Sequence, residues 1–139
     1  MGLKNRKEGI EHIDTNILVR LITKDNQAQL KKIKKLFSQR NKLYVFEDSA
    51  MMEVIFVLSG PHYNFARDQI ARDVNNIMLI PNLVCNKPII EGALDLYVSQ
   101  PKLSFVDCYL AVISETSGET PLWTFDRRLV AQCPIAREP

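Results

Sequence analysis

Hydrophobic positions recur along this chain in two rhythms, and the alternation between them is its first legible property. After a short apolar approach at Ile10 and Ile13, the residues Ile17, Leu18, Leu21 and Ile22 take the i, i+1, i+4, i+5 spacing of a buried helical face. A second helix is predicted from Asp25 as N-cap, with Leu30, Ile33, Leu36 and Phe37 on one side and Lys31, Lys32, Lys34 and Lys35 mostly on the other. The lysines read more simply as a solvated surface than as an RNA-facing stripe. Leu43–Phe46 is a run of β-formers without helical company and predicts a buried strand. Glu47, Asp48 and Ser49 open a further helix that stops at Gly60-Pro61.

The alternation continues to the C-terminus. A more polar helix is expected from Asn64 to Asn75, and Ile77–Ile80, closed by Pro81, reads as a third strand. Asn86 and Pro88 suit the start of a helix carrying Ile90, Ala93, Leu94 and Tyr97, ended by Pro101. The segment after Ser104 is apolar nearly all round, the pattern of a helix packed deep in a core. A strand at Pro121–Phe125, a short helix from Asp126 to Gln132 and a last strand at Pro134–Ala136 complete the reading. Short apolar strands alternating with helices predict an α/β fold, a three-layer α/β/α sandwich around a central parallel sheet of four to five strands.

Length and composition narrow the function. A chain of 139 residues suits one domain, expected over 12–139 behind a charged lead-in at 1–11. With 46% hydrophobic and 24% charged residues it should fold, and a formal charge of +2 exerts no long-range pull on a polyanion, so any nucleic-acid site has to be a local patch. Apolar runs such as Val54–Leu58 and Cys108–Ile113 fall short of the roughly 18 residues of a membrane helix, and the N-terminal residues lack the apolar core of a secretory signal. Cys85, Cys108 and Cys133 have neither the parity nor the spacing of a disulfide framework or zinc site, which points to a reducing cytoplasmic setting. His12 and His62 are the only histidines, so catalysis must rest on carboxylates.

Four acids are candidates. Asp14 ends the first strand, Asp107 stands three residues after Ser104 in capping-box spacing, and Asp126 follows the strand at Pro121–Phe125; each is explained in isolation as a helix cap. Glu53, flanked by Met51, Met52, Val54 and Ile55, reads either as an exposed charge on a helix edge or as a half-buried carboxylate, which is costly unless paired or metal-bound and makes it the acid least well explained by local structure. Ligands of parallel sheets bind outside the carboxyl ends of the strands, and several carboxylates converging there would repel one another without a cation. Oxygen ligands without imidazole or thiolate select Mg²⁺ or Mn²⁺, and such a metal activates water and stabilises charge on a phosphodiester. The four acids are therefore expected to share one pocket.

The segments "IDTNILVRLI", "EVIFVL", "SFVDCYLAVI" and "WTFDRRL", in that order, resemble a PIN domain, and the compact size is similar to the VapC toxins of VapBC toxin–antitoxin systems. The resemblance implies a Mg²⁺- or Mn²⁺-dependent endoribonuclease whose acidic positions fall on Asp14, Glu53, Asp107 and Asp126. Asp14 and Asp107 would be the main metal ligands, with Glu53 and Asp126 completing the pocket and Asn16 and Thr124 orienting the acids. It also implies a VapB-like antitoxin, contacting the segments "MMEVIFVL" and "NFARDQIARDV", and a homodimer. Arg20, Lys24, Lys87, Arg127 and Arg128 are candidates for RNA phosphate contacts. Two other readings stand beside this one: a PIN-like module that binds RNA or protein without cutting, and an aspartate-based phosphatase or phosphoacceptor. The phosphatases place a second acid two residues after the nucleophile, where this chain has Asn16.

Overall fold

The structure is a computed structural model describing residues 9–139. Among these residues the chain forms seven helices and five short strands in the order β1 (Ile10–His12), α1 (Thr15–Thr23), α2 (Gln27–Phe37), β2 (Leu43–Val45), α3 (Asp48–Ser59), α4 (Arg67–Ile77), β3 (Leu83–Val84), α5 (Lys87–Ser99), α6 (Phe105–Ser117), β4 (Leu122–Trp123), α7 (Arg127–Gln132) and β5 (Ala136–Arg137). The α/β architecture expected from the pattern is the one observed. Of the lead-in expected at 1–11, positions 1–8 lie outside the described residues, and β1 begins at Ile10.

All strand pairs are parallel. β2 is central, pairing Tyr44 with Glu11 on one side and with Leu83 on the other, and the ladder is extended by Ile13 N–H donating to the Val45 carbonyl (2.9 Å) and Phe46 N–H to the Val84 carbonyl (3.1 Å). The predicted single sheet of four to five strands is instead a three-stranded sheet β1-β2-β3 and a separate pair β4-β5. Strands of two or three residues carry few ladder groups: β4 is tied to β5 by Leu122 N–H on the Ile135 carbonyl and Thr124 N–H on the Arg137 carbonyl, both at 2.9 Å.

The third strand also sits later than the pattern predicted. Ile70, Val74 and Ile77 stay on one buried helical face to the end of α4, so Ile77–Ile80 is a helix end and turn, and the strand starts only after Pro81. The N-cap of α2 is Asn26, whose side chain accepts from Gln29 N–H (3.0 Å); Asp25 is used elsewhere.

α3 buries Met51, Val54, Ile55 and Leu58, an i, i+3, i+4, i+7 stripe that joins Leu18, Tyr44, Phe46 and Leu94 in the core. That stripe decides the fate of Glu53. Lying off it, Glu53 is exposed, the helix-edge reading of the two, and Phe56 on the same side is 77% exposed. α6 differs from expectation in the same way: Phe105, Cys108, Ala111 and Ser114 are buried, whereas Val106 and Leu110 are exposed, so the helix is one-sided despite its apolar sequence. No helix among the described residues is long and apolar enough to cross a membrane.

Candidate active site

Because β1 and β2 run parallel, their carboxyl ends fall on one edge of the sheet, and the residues just beyond them, Asp14 after β1 and Glu47 and Asp48 after β2, crowd that edge. His12 and Glu47 span it, with Nε2 3.2 Å from Oε1 between two exposed side chains. A groove of about 470 Å³ continues along the edge from Glu47, Asp48 and Ser49 to Val84, Cys85 and Asn86. Burial pushes the Cys85 thiol up to about 11 against the opposing pull of Lys87, so this cysteine is a neutral lining group rather than a nucleophile.

Asp14 and Asp126 cap the helices that follow them, and Asp107 closes a capping box in the first turn of its own helix. Asp14 has extended backbone (φ −100°, ψ 179°), and its Oδ1 accepts from Asn16 N–H (3.1 Å) and Ile17 N–H (3.4 Å) at the start of α1. Asp126 Oδ1 accepts from Arg128 N–H (2.9 Å) and Leu129 N–H (3.4 Å), while Thr124 Oγ1 accepts from Asp126 N–H (3.0 Å) and so sets the backbone that presents the carboxylate. Ser104 and Asp107 form a complete capping box: Asp107 N–H donates to Ser104 Oγ (3.1 Å) and Ser104 N–H to Asp107 Oδ2 (3.2 Å). Glu53, in the middle of α3, accepts on Oε2 from the Thr15 hydroxyl (3.0 Å).

A common feature emerges. Each of the four acids takes its hydrogen bonds on one oxygen, leaving Asp14 Oδ2, Glu53 Oε1, Asp107 Oδ1 and Asp126 Oδ2 without a hydrogen-bond partner among the described residues. Two pairs of elements are drawn together around them. Thr15 ties the first turn of α1 to the middle of α3, and the Tyr109 hydroxyl in α6 donates to Asp48 Oδ2 at the start of α3 (2.5 Å). That carboxylate, with burial second, pushes the Tyr109 phenol up to about 12.

The four carboxylates do not form a tight cage: among the described residues no three His, Cys, Asp or Glu side chains make a group able to hold a metal ion. Each is held first by the N–H or O–H donors nearest to it. The donor chemistry nevertheless suits a hard cation, since the spare atoms are all carboxylate oxygens. Mg²⁺ commonly uses only one or two carboxylates, with water and substrate phosphate completing its shell.

The predicted supporting and cationic residues divide in the structure. Asn16 contacts Asp14 through its backbone N–H and lines a groove with Ile17, Arg20, Gln29, Lys32 and Ile33. Arg20 is committed internally, donating to Gln29 Oε1 (2.9 Å), Tyr63 Oη (3.0 Å) and Asp25 Oδ1 (3.2 Å). The Tyr63 hydroxyl, which also donates to Asp25 Oδ2 (2.7 Å), is the main cause both of the raised Arg20 value and of the lowered Asp25 value. Arg128 sits 3.7 Å from Asp126 Oδ1. Lys24, Lys87 and Arg127 have no side-chain partner among the described residues.

Sequence reasoning did not single out Thr15, Asp48, Tyr109 or Arg67. Thr15 had a signal, a hydroxyl in the first helical turn directly after a candidate acid. Asp48 and Tyr109 had none, because 61 positions separate them. Arg67 Nη1 donates to the carbonyls of Tyr97 (2.8 Å) and Leu103 (2.6 Å), and its guanidinium lies 4.0 Å over the Tyr97 ring, closing the α5–α6 turn beside the Ser104–Asp107 box.

Among curated proteins none matches the chain. A family model described as the PIN domain matches residues 12–133, a span that begins just before Asp14 and includes Glu53, Asp107 and Asp126. By a match of that extent, over the elements that carry all four acids, the chain belongs to the PIN domain family.

Proposed function

We propose that the protein is a Mg²⁺- or Mn²⁺-dependent endoribonuclease, the toxin of a VapBC-like toxin–antitoxin pair, acting in the cytoplasm on RNA phosphodiesters. The PIN domain is generally a nuclease fold, which supports the reaction class. The observation that carries the reading is the division of labour within each carboxylate: one oxygen of Asp14, Glu53, Asp107 and Asp126 is spent on local structure and the other is left unpartnered. Helix capping accounts for the bonded oxygen of Asp14, Asp107 and Asp126 and the Thr15 hydroxyl for that of Glu53, and the second oxygen of each is the atom a cation would take.

In this reading Asp14 and Asp107 hold the ion, and Glu53 and Asp126 complete the acidic pocket. The bound metal supplies a lowered pKa for water and neutralisation of phosphodiester charge. The rest belongs to the chain. The Thr15 hydroxyl fixes the Glu53 carboxylate against α1, and Thr124 holds the backbone of Asp126. Lys24, Lys87 and Arg127 are the cations available for phosphate, since Arg20 and Arg128 are engaged by Asp25 and Asp126.

An antitoxin and a second copy of the chain fit the apolar surface near the acids. A groove of about 430 Å³ between α3 and the start of α6 is lined by Met52, Ile55, Phe56, Phe65, Arg67 and Val106, next in sequence to Glu53 and Asp107. We assign this groove to the antitoxin segment and the exposed Leu110 face of α6 to the homodimer. Expression of the chain alone should then arrest growth.

The test is RNA cleavage with Mg²⁺ or Mn²⁺ and with chelator, comparing wild type with Asp14→Asn and Asp107→Asn. Metal-dependent cutting lost in both variants supports the nuclease. RNA binding without cutting by wild type would favour the non-catalytic PIN-like module, and equal cutting by all three proteins would remove the acids from the mechanism.

A further inference from the structure

Asp14, Asp107 and Asp126 take their side-chain hydrogen bonds from N–H groups within three residues of themselves. Such bonds aim each carboxylate relative to its own backbone and leave open where the next acid-bearing helix lies. Among the described residues two side-chain hydrogen bonds cross between acid-bearing helices: Thr15 in α1 to Glu53 in α3, and Tyr109 in α6 to Asp48 in α3. Together they string α1, α3 and α6 into one chain with α3 in the middle, and so connect the helices of Asp14, Glu53 and Asp107.

The second link sits at the acid end of both helices. Asp48 is the first residue of α3, just beyond β2, on the sheet edge where Asp14 stands beyond β1, and Tyr109 follows Asp107 by two residues near the start of α6. Both side chains are half-buried, and Tyr109 is the sole side-chain hydrogen-bond partner of Asp48 among the described residues. A helix start suits the charge of Asp48 but does not call for a phenol from 61 positions away. The position of α6 does call for one. It packs chiefly on α5 and buries a single stripe, Phe105, Cys108, Ala111 and Ser114. Apolar burial is non-directional and tolerates a small slide or turn of the helix, whereas a hydrogen bond imposes a distance and an angle.

We infer that Tyr109 and Asp48 are positioning residues of the acidic site: their bond seats α6 on α3 and thereby sets the place of Asp107 relative to Glu53. The inference rests on the metal-dependent nuclease reading for what the acids do. It adds the contact that holds two of them at a fixed separation.

The test compares wild type at neutral pH with three single variants and one double variant. Tyr109→Phe keeps the ring and removes the donor, Asp48→Ala removes the acceptor, and Asp48→Asn keeps an acceptor oxygen for the phenol. Each protein is followed by thermal unfolding, by Mn²⁺ titration read from the loss of the free-ion electron paramagnetic resonance signal, and by RNA cleavage at a fixed, subsaturating Mn²⁺ concentration. Tyr109→Phe and Asp48→Ala should unfold within a few degrees of wild type, bind Mn²⁺ about ten-fold more weakly and lose about ten-fold in kcat with KM for RNA unchanged. Asp48→Asn should match wild type in both, and Tyr109→Phe combined with Asp48→Ala should be no worse than either alone, since the two act through one bond.

Wild-type Mn²⁺ affinity in Tyr109→Phe or additive losses in the double variant would overturn the inference, as would an equal loss in Asp48→Asn, which makes the charge of Asp48 the agent rather than its bond. The two readings fail separately. Cleavage by wild type with unchanged Mn²⁺ affinity and kcat in Tyr109→Phe keeps the nuclease and removes the positioning pair; Mn²⁺ binding that weakens in Tyr109→Phe, with no cleavage by wild type, keeps the pair and removes the nuclease. A wild-type protein that binds no Mn²⁺ removes both.

Discussion

The Thr15 hydroxyl donates to Glu53 Oε2 across 3.0 Å, joining residues 38 positions apart and fixing the first turn of α1, just after Asp14, against the middle of α3. Both ends are close to solvent, so the bond contributes little to stability, about 0.5 kcal/mol. Its value lies in orientation. Thr15→Val should leave the unfolding temperature nearly unchanged while lowering the cleavage rate by about ten-fold, and Thr15→Ser should restore it. Cleavage kinetics beside thermal unfolding check this, and a fully active Thr15→Val protein would deny the bond any part in placing Glu53.

Capping and chemistry can be separated at Asp14. Asparagine caps a helix about as well as aspartate, whereas alanine gives up the bonds to Asn16 and Ile17 N–H. Asp14→Asn should therefore unfold like wild type and Asp14→Ala should lose about 1 kcal/mol, while both lose metal-dependent cleavage. Denaturant titration alongside the RNA assay resolves the two effects.

The Tyr109 bond to Asp48 carries a pH signature. The phenol must keep its proton to donate, and its value is pushed from near 10 up to about 12, chiefly by the Asp48 carboxylate. A group whose value is raised in the folded state contributes stability that is complete below the unfolded value and is lost on passing upward through the folded one. Wild type should lose stability relative to Tyr109→Phe between pH 10 and 12, and the two should run parallel below pH 9. Unfolding temperatures measured across that range would show parallel curves throughout if the bond is absent in solution.

Asp25 behaves in the opposite sense. Its carboxyl is held below the usual value of 3.8, first by the Tyr63 hydroxyl and then by Thr23 and Arg20. Its contribution is present above that value and disappears as pH falls through the lowered one. Tyr63→Phe should thus show a shallower loss of stability below pH 4 than wild type, with unfolding followed by circular dichroism.

Arg67 spans three carbonyls at the end of α5, those of Tyr97, Gln100 and Leu103, and stacks on the Tyr97 ring. Arg67→Met should cost about 2 kcal/mol, and Arg67→Lys should recover only part of it, because a point charge cannot reproduce a planar fork on several acceptors. Equal stability of the two variants would show that the stem alone does the packing.

What could be read from the chain was what the chain settles within a turn or two. The caps at Asp14, Asp107 and Asp126 bond to N–H groups two or three residues away, so residue type and spacing were enough to locate them. The helix faces of α1, α2 and α5 followed from periodicity for the same reason. At Ile77–Ile80, however, an apolar run suited both a helix end and a strand, and only the buried face of α4 decided between them.

The sequence by itself determined the alternation of strands and helices, the placing of three acids at helix starts and the membership of this chain in the PIN domain family, because those depend on local hydrogen bonds and on the order of motifs. Tertiary structure alone decided that Glu53 lies exposed under Thr15, that Arg20 is taken by Tyr63 and Asp25, that β4 pairs with β5 instead of joining the main sheet, and that Trp123 and Phe125 face solvent beside Asp126. Each of these turns on which distant segment arrives first at a hydrogen-bonding group or an apolar face, and spacing along the chain carries no record of that meeting.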